Sequence, residues 1–82
     1  MIVVTVKLFA IYQETLGTEE LSLTLPEETP VIALLDRFVQ DYPELAPWRS
    51  VTRFGINLEF VPPETFLRSG DEVVLIPPVS GG

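Results

Sequence analysis

Residues 27–45 read EETPVIALLDRFVQDYPEL, and the spacing of their apolar side chains constrains the rest of the chain. Val31, Leu34, Leu35, Phe38 and Tyr42 recur every three to four residues, which puts them on one side of an α-helix. Thr29 is placed to cap this helix, Pro30 suits its first position, and Pro43 stops it. The spacing therefore predicts a helix of about three turns. Asp36, Arg37, Gln40 and Asp41 face water, and the apolar face needs a sheet to cover it.

The flanking segments supply that sheet. In IVVTVKLF, residues 2–9, Ile2, Val4, Val6 and Leu8 fall on one face and Val3, Thr5, Lys7 and Phe9 on the other. ELSLTL, residues 20–25, alternates more cleanly, with Leu21, Leu23 and Leu25 inward, and AIYQETLGTE reads as a connector closed by Gly17. The two runs predict a hairpin. Beyond the helix, ELAPWRS reads as an irregular bridge. VTRFGINLEFV then gives a strand with Phe54 and Ile56 on one face, turning near Asn57 to Glu59. PPETFLRSGD is a loop with a turn at Ser69 and Gly70, followed by a last strand, EVVLI.

The order is thus strand, strand, helix, strand, short strand, strand. One main helix packed on one face of a mixed sheet of about five strands is an α+β roll of the β-grasp type. It occupies residues 1–76, and residues 77–82 form an extended tail. There is no repeat, linker or low-complexity tract.

Composition narrows the chemistry. Of the 82 residues, 46% are hydrophobic and 21% charged, which is the balance of a folded globule and not of a disordered chain. Twelve acidic residues against five basic ones leave a net charge of −7, which opposes nucleic acid and anionic lipid and favours a basic protein partner. With no Cys and no His, the chain offers no disulfide, zinc finger, thiol nucleophile or imidazole base. Thr5 and Lys7 interrupt the apolar opening and no small-residue cleavage site follows it, so it predicts a strand and not a signal peptide. No stretch is long enough for a membrane span, and the expectation is a soluble, cytoplasmic protein.

The acidic pairs Glu19–Glu20, Glu27–Glu28 and Asp71–Glu72 invite a reading as metal ligands or as the acid and base of a hydrolase. Adjacent carboxylates diverge on a strand, and Glu27 and Glu28 precede a helix N-terminus, where negative charge is favoured. Solvated and capping roles are expected, with no bound metal. Trp48 and Tyr42 are expected to close the core, and Lys7 to be a surface charge. Phe9, by contrast, lies on the outward parity of its strand. Val74 and Ile76 join it there if Val73 and Leu75 face the helix, and Phe60 extends the set. An exposed apolar patch of this kind marks a protein interface.

The tail PPVSGG carries the remaining chemistry. Pro77 and Pro78 supply no backbone donors, so the sheet ladder ends there and the chain projects as an arm. Six residues reach about 20 Å, far enough to enter another protein's active site. Gly81 and Gly82 lack Cβ atoms, so the tip is thin enough for a narrow channel. A chain without nucleophile, base or cofactor can still react if its terminal carboxylate is the substrate, activated as a mixed anhydride by a partner.

VKLFA, ETLGTEEL, the single helix, INLEFV and above all GDEVVLIPPVSGG together resemble the MoaD/ThiS family of ubiquitin-like sulfur carriers, in its molybdopterin synthase small-subunit branch. The resemblance spans essentially the whole chain. It implies that the Gly82 carboxylate is adenylated by a MoeB-like activating enzyme, which uses ATP, and is then converted to a thiocarboxylate. It implies a tail, Pro77, Pro78, Val79, Ser80, Gly81 and Gly82, that enters the MoaE-like large subunit of molybdopterin synthase and donates sulfur to precursor Z. Two small and two large subunits would form a heterotetramer, with catalytic side chains on the large ones and no cofactor bound to this chain. The family's partner-facing positions fall on Phe9, Phe60 and Ile76. Gln13 departs from the basic residue common in bacterial relatives, which removes a charge contact from that loop.

Three alternatives share the sequence features. A thiamine-pathway carrier has the same fold and tip, but is usually shorter between helix and third strand. A ubiquitin-like modifier would form isopeptide bonds to lysines. A plain interaction module would carry the Gly-Gly by accident or as an engineered remnant.

Overall fold

The computed structural model describes residues 1–78, so Val79, Ser80, Gly81 and Gly82 of the expected tail lie outside the described residues. Five strands, β1 (Ile2–Leu8), β2 (Glu20–Leu25), β3 (Arg53–Ile56), β4 (Glu59–Val61) and β5 (Glu72–Ile76), form one sheet in the order β2-β1-β5-β3-β4. β1 and β5 run parallel at its centre, and the other neighbouring pairs are antiparallel. Helix α2 (Val31–Asp41) covers one face, and the architecture is a ubiquitin-like β-grasp.

Strand parity holds across the sheet. Val6 lies opposite Val73 and Val73 opposite Ile56, while Leu8, Leu75 and Phe54 form the next row, and all six side chains are buried. They meet Val31, Leu34, Leu35 and Phe38 of α2, the residues that the helical spacing selects. Leu25 is buried as expected, but Leu21 and Leu23 are only half-buried. Both belong to an edge strand, where the sheet extends past the cover of the helix. Asn57 and Leu58, both with positive φ, make the two-residue turn between β3 and β4, and their left-handed conformations match the twist of the paired strands.

Three local expectations are corrected. The connector AIYQETL is a short helix, α1 (Ile11–Leu16), closed by Gly17 at φ 74°. Its Tyr12 is fully buried and belongs to the core. The bridge after α2 is a 3₁₀ run, Pro43–Val51, which buries Leu45 and packs Trp48 against the core.

Thr29 does not cap α2 and Pro30 is not its first residue. Pro30 is the extended N-cap, paired with Phe66 in an isolated bridge, and the Thr29 hydroxyl donates to the Pro26 carbonyl at 2.6 Å. The first free N–H groups of the helix are taken by the loop instead: Val31 donates to Thr65 O at 2.8 Å and Ile32 to Pro63 O at 3.0 Å. A tertiary cap of this kind leaves no signature in the local sequence.

Candidate functional site

The site is built on the outer face of the sheet and at the root of the tail. Because paired residues share a face, Lys7, Val74, Gly55 and Phe60 form one row across β1, β5, β3 and β4, and Ile76 and Arg53 belong to the next. Phe9 follows Lys7 by two residues on the same side. Phe9 is 49% exposed and Phe60 is 71% exposed, while Val74 and Ile76 are half-buried. Phe9 and Ile76 also line a hollow of about 540 Å³ with Ile11, Trp48, Pro77 and Pro78, where the chain leaves the sheet. Among the described residues Glu14 is the one titratable side chain in that lining, and they place no acid–base pair and no nucleophile there.

Helix α1 and the 3₁₀ run form the wall of the hollow, and a buried hydrogen-bond chain locks them together. The Thr52 hydroxyl donates to the Trp48 carbonyl at 2.7 Å. A hydroxyl has one proton, so the Tyr12 phenol must be the donor in its own bond to Thr52 Oγ1. Burial disfavours the phenolate and raises the Tyr12 pKa above its ordinary value. Tyr12 therefore fixes the segment that carries Phe9 and Ile11 relative to Trp48. Neither α1 nor Thr52 stood out in the sequence. The usable signal was Tyr12 and Leu16 at helical spacing just before a glycine able to adopt positive φ.

Of the acidic pairs, Asp71–Glu72 has a structural role, while neither Glu27 nor Glu28 caps α2, whose N-cap is Pro30 with no side-chain cap bond. Asp71 accepts from the Arg68 N–H at 2.8 Å and from Asn57 Nδ2 at 3.0 Å, closing the turn before β5. Glu72 lies 3.7 Å from Lys7 Nζ. Among the described residues no cluster of acidic side chains has the arrangement of a metal site, and no helix is long and apolar enough to cross a membrane.

Comparison with known proteins gives this surface its context. The ThiS family model matches residues 6–82. The chain is 33% identical over 79 residues to the molybdopterin synthase sulfur carrier subunit of Arabidopsis thaliana, covering 96% of this chain and 82% of that protein. It is 31% identical to the small archaeal modifier protein 1 of Methanosarcina acetivorans, whose solution structure superposes with a TM-score of 0.75 over 100% of this chain and 98% of that one. A chain from the complex of subunits 1 and 2 of the molybdopterin-converting factor of Helicobacter pylori shares the fold at 24% identity and a TM-score of 0.64, over 99% of this chain and 100% of that one. On the family match across nearly its whole length, the chain belongs to the ThiS family of ubiquitin-like sulfur carriers.

Proposed function

We propose that this protein is the sulfur carrier subunit of a molybdopterin synthase, with Gly82 as its sulfur-bearing residue, acting in the cytoplasm. The observation that carries the reading is that the family match runs through the terminal Gly-Gly and not only through the β-grasp body. The Gly82 carboxylate attacks ATP bound by a MoeB-like activating enzyme, forming an acyl adenylate and releasing pyrophosphate. A sulfur nucleophile then displaces AMP and leaves a thiocarboxylate. The tail, from Pro77 and Pro78 through Val79, Ser80, Gly81 and Gly82, enters the large subunit, where the sulfur passes to precursor Z. The chain itself binds no cofactor and supplies no catalytic side chain. Two copies of each subunit assemble as a heterotetramer, with Phe9, Phe60 and Ile76 against the large subunit.

Reconstitution tests this directly. The thiocarboxylated chain with the large subunit should convert precursor Z to molybdopterin with no other sulfur source, and the carboxylate form should not. Equal conversion by both forms would remove the carrier role.

Two predictions concern the surface. Phe9→Asp should fold normally, because the ring is half in solvent, yet weaken the complex with the large subunit by about 30-fold or more, as loss of an interface anchor does. A variant that unfolds would instead place Phe9 in the core and end the patch reading. The net charge of −7 should also steer the chain to basic surfaces, so association measured by stopped flow should slow as salt shortens the screening length towards about 8 Å at physiological strength. An on-rate indifferent to salt would leave apolar contact as the determinant.

The likeness to an archaeal modifier protein favours a second reading. The same acyl adenylate, attacked by a lysine amine in place of sulfur, would give an isopeptide bond. Conjugates carrying a Gly-Gly remnant on lysine after proteolysis would reveal it.

A further inference from the structure

The outer face holds a guanidinium beside its apolar patch. Arg53 is exposed on β3, opposite Ile76 in the β3–β5 register and two residues from Gly55, which itself stands opposite Val74 and Phe60. Its guanidinium thus belongs to the same surface as Ile76 on one side and Phe60 on the other. Gly55 has no side chain to wall it off.

Nearby cations are already neutralised by this chain. Lys7 has Glu72 at 3.7 Å, and Arg49 holds Asp36 through both Nε and Nη2. Arg53 joins no ion pair among the described residues, although Glu64 lines the same hollow beside Phe60. A partner that closes over Phe9, Ile76 and Phe60 must strip water from this guanidinium. Arginine cannot escape the cost by losing its proton, and a desolvated, unpaired charge opposes the apolar contact around it.

We infer that the partner surface covering Phe9, Ile76 and Phe60 presents a carboxylate to Arg53, and that this pair selects and orients the partner. The inference rests on the interface reading proposed above. The overall charge of −7 favours partners whose facing surface is basic, so an acid within that surface is a local exception to the general field. Such an exception fixes register, because a displaced partner would set a cation against Arg53. The planar guanidinium also matches a carboxylate in a bidentate fork, which lysine cannot reproduce.

Binding of the intact chain to the synthase large subunit, measured by calorimetry at low salt, tests the pairing. Arg53→Glu should raise Kd by about 30-fold or more, and Arg53→Leu by about 10-fold, since both leave the partner carboxylate without its counter-charge. Melting curves should match the parent because Arg53 is exposed. Reversing the aspartates and glutamates of the large subunit one at a time should find a single position whose change to Arg restores binding of Arg53→Glu and weakens binding of the parent. Suppose Phe9→Asp abolishes binding while both Arg53 variants stay within about twofold of the parent. The interface then stands and the pairing is wrong. Tighter binding by Arg53→Leu would overturn it as well. If Phe9→Asp binds like the parent, the interface reading itself has failed and the pairing falls with it.

Discussion

Deleting Gly82, or replacing Gly81 with Trp, should abolish molybdopterin formation and leave the melting temperature where it was. Removing Gly82 moves the terminal carboxylate back by one residue, about 3.3 Å, so the acyl group no longer reaches the position at which it is adenylated or at which its sulfur is transferred. Near-attack geometry is sensitive at the level of about 1 Å, which makes a loss of more than 100-fold the expected scale. Trp at residue 81 keeps the length but adds bulk where the tip must be thin. Among the described residues the buried core ends at Leu75, and an unchanged melt is the outcome expected for both changes. The measurement is product formation in the reconstituted synthase beside a thermal melt. A truncated chain that still supports synthesis would contradict the role given to the tail, and a lowered melting point would show that the tip also packs on the body.

The largest effect on stability should come from Tyr12. It is fully buried, packs within the core, and donates the hydrogen bond that ties α1 to the end of the 3₁₀ run. Tyr12→Ala should cost about 3–5 kcal/mol from lost burial and the cavity left behind, a large share of the roughly 5–15 kcal/mol that holds a small domain folded. Tyr12→Phe keeps the ring and removes only the donor. It should cost about 1 kcal/mol, or about 4–8 °C in Tm for a domain of this size.

The sign of the pH dependence follows from the raised Tyr12 pKa. The unfolded chain releases the phenol proton first, at the ordinary tyrosine value of about 10. The contribution is therefore complete below that pH and is lost as pH rises through the higher folded value. Tyr12→Phe should lack this part of the alkaline decline, as followed by denaturant melts at increasing pH. An unchanged alkaline decline would mean that Tyr12 does not titrate with unfolding. Because α1 carries Ile11 and adjoins Phe9, the same variant should also weaken the complex with the large subunit at temperatures where it remains folded.

The strands and the main helix were legible because they bury one face of a regular period. Alternation in residues 2–8, 20–25, 53–56 and 72–76 placed the inward and outward sets correctly, and the three-to-four spacing placed Val31, Leu34, Leu35 and Phe38. The N-terminus of α2 was not legible, since its N–H groups are satisfied by Thr65 and Pro63, more than thirty residues away in the chain. Helix α1 escaped because six residues give too little period to read, and its hydrogen-bond partner Thr52 is forty residues distant. Strand parity brought out Phe9 and Ile76, while Phe60 came from its place in the short hairpin and from the family resemblance. Arg53 needed the β3–β5 register, which no single strand contains.

The central claim is that Gly82 carries sulfur, and intact-mass spectrometry tests it most directly. The protein is incubated with ATP, a sulfur donor and its activating enzyme, and weighed beside a control without ATP. The account predicts a mass gain equal to the difference between one sulfur and one oxygen. The gain should appear only with ATP and localise to the C-terminal peptide that ends in Gly82. No gain, or sulfur found on any other peptide, would contradict it.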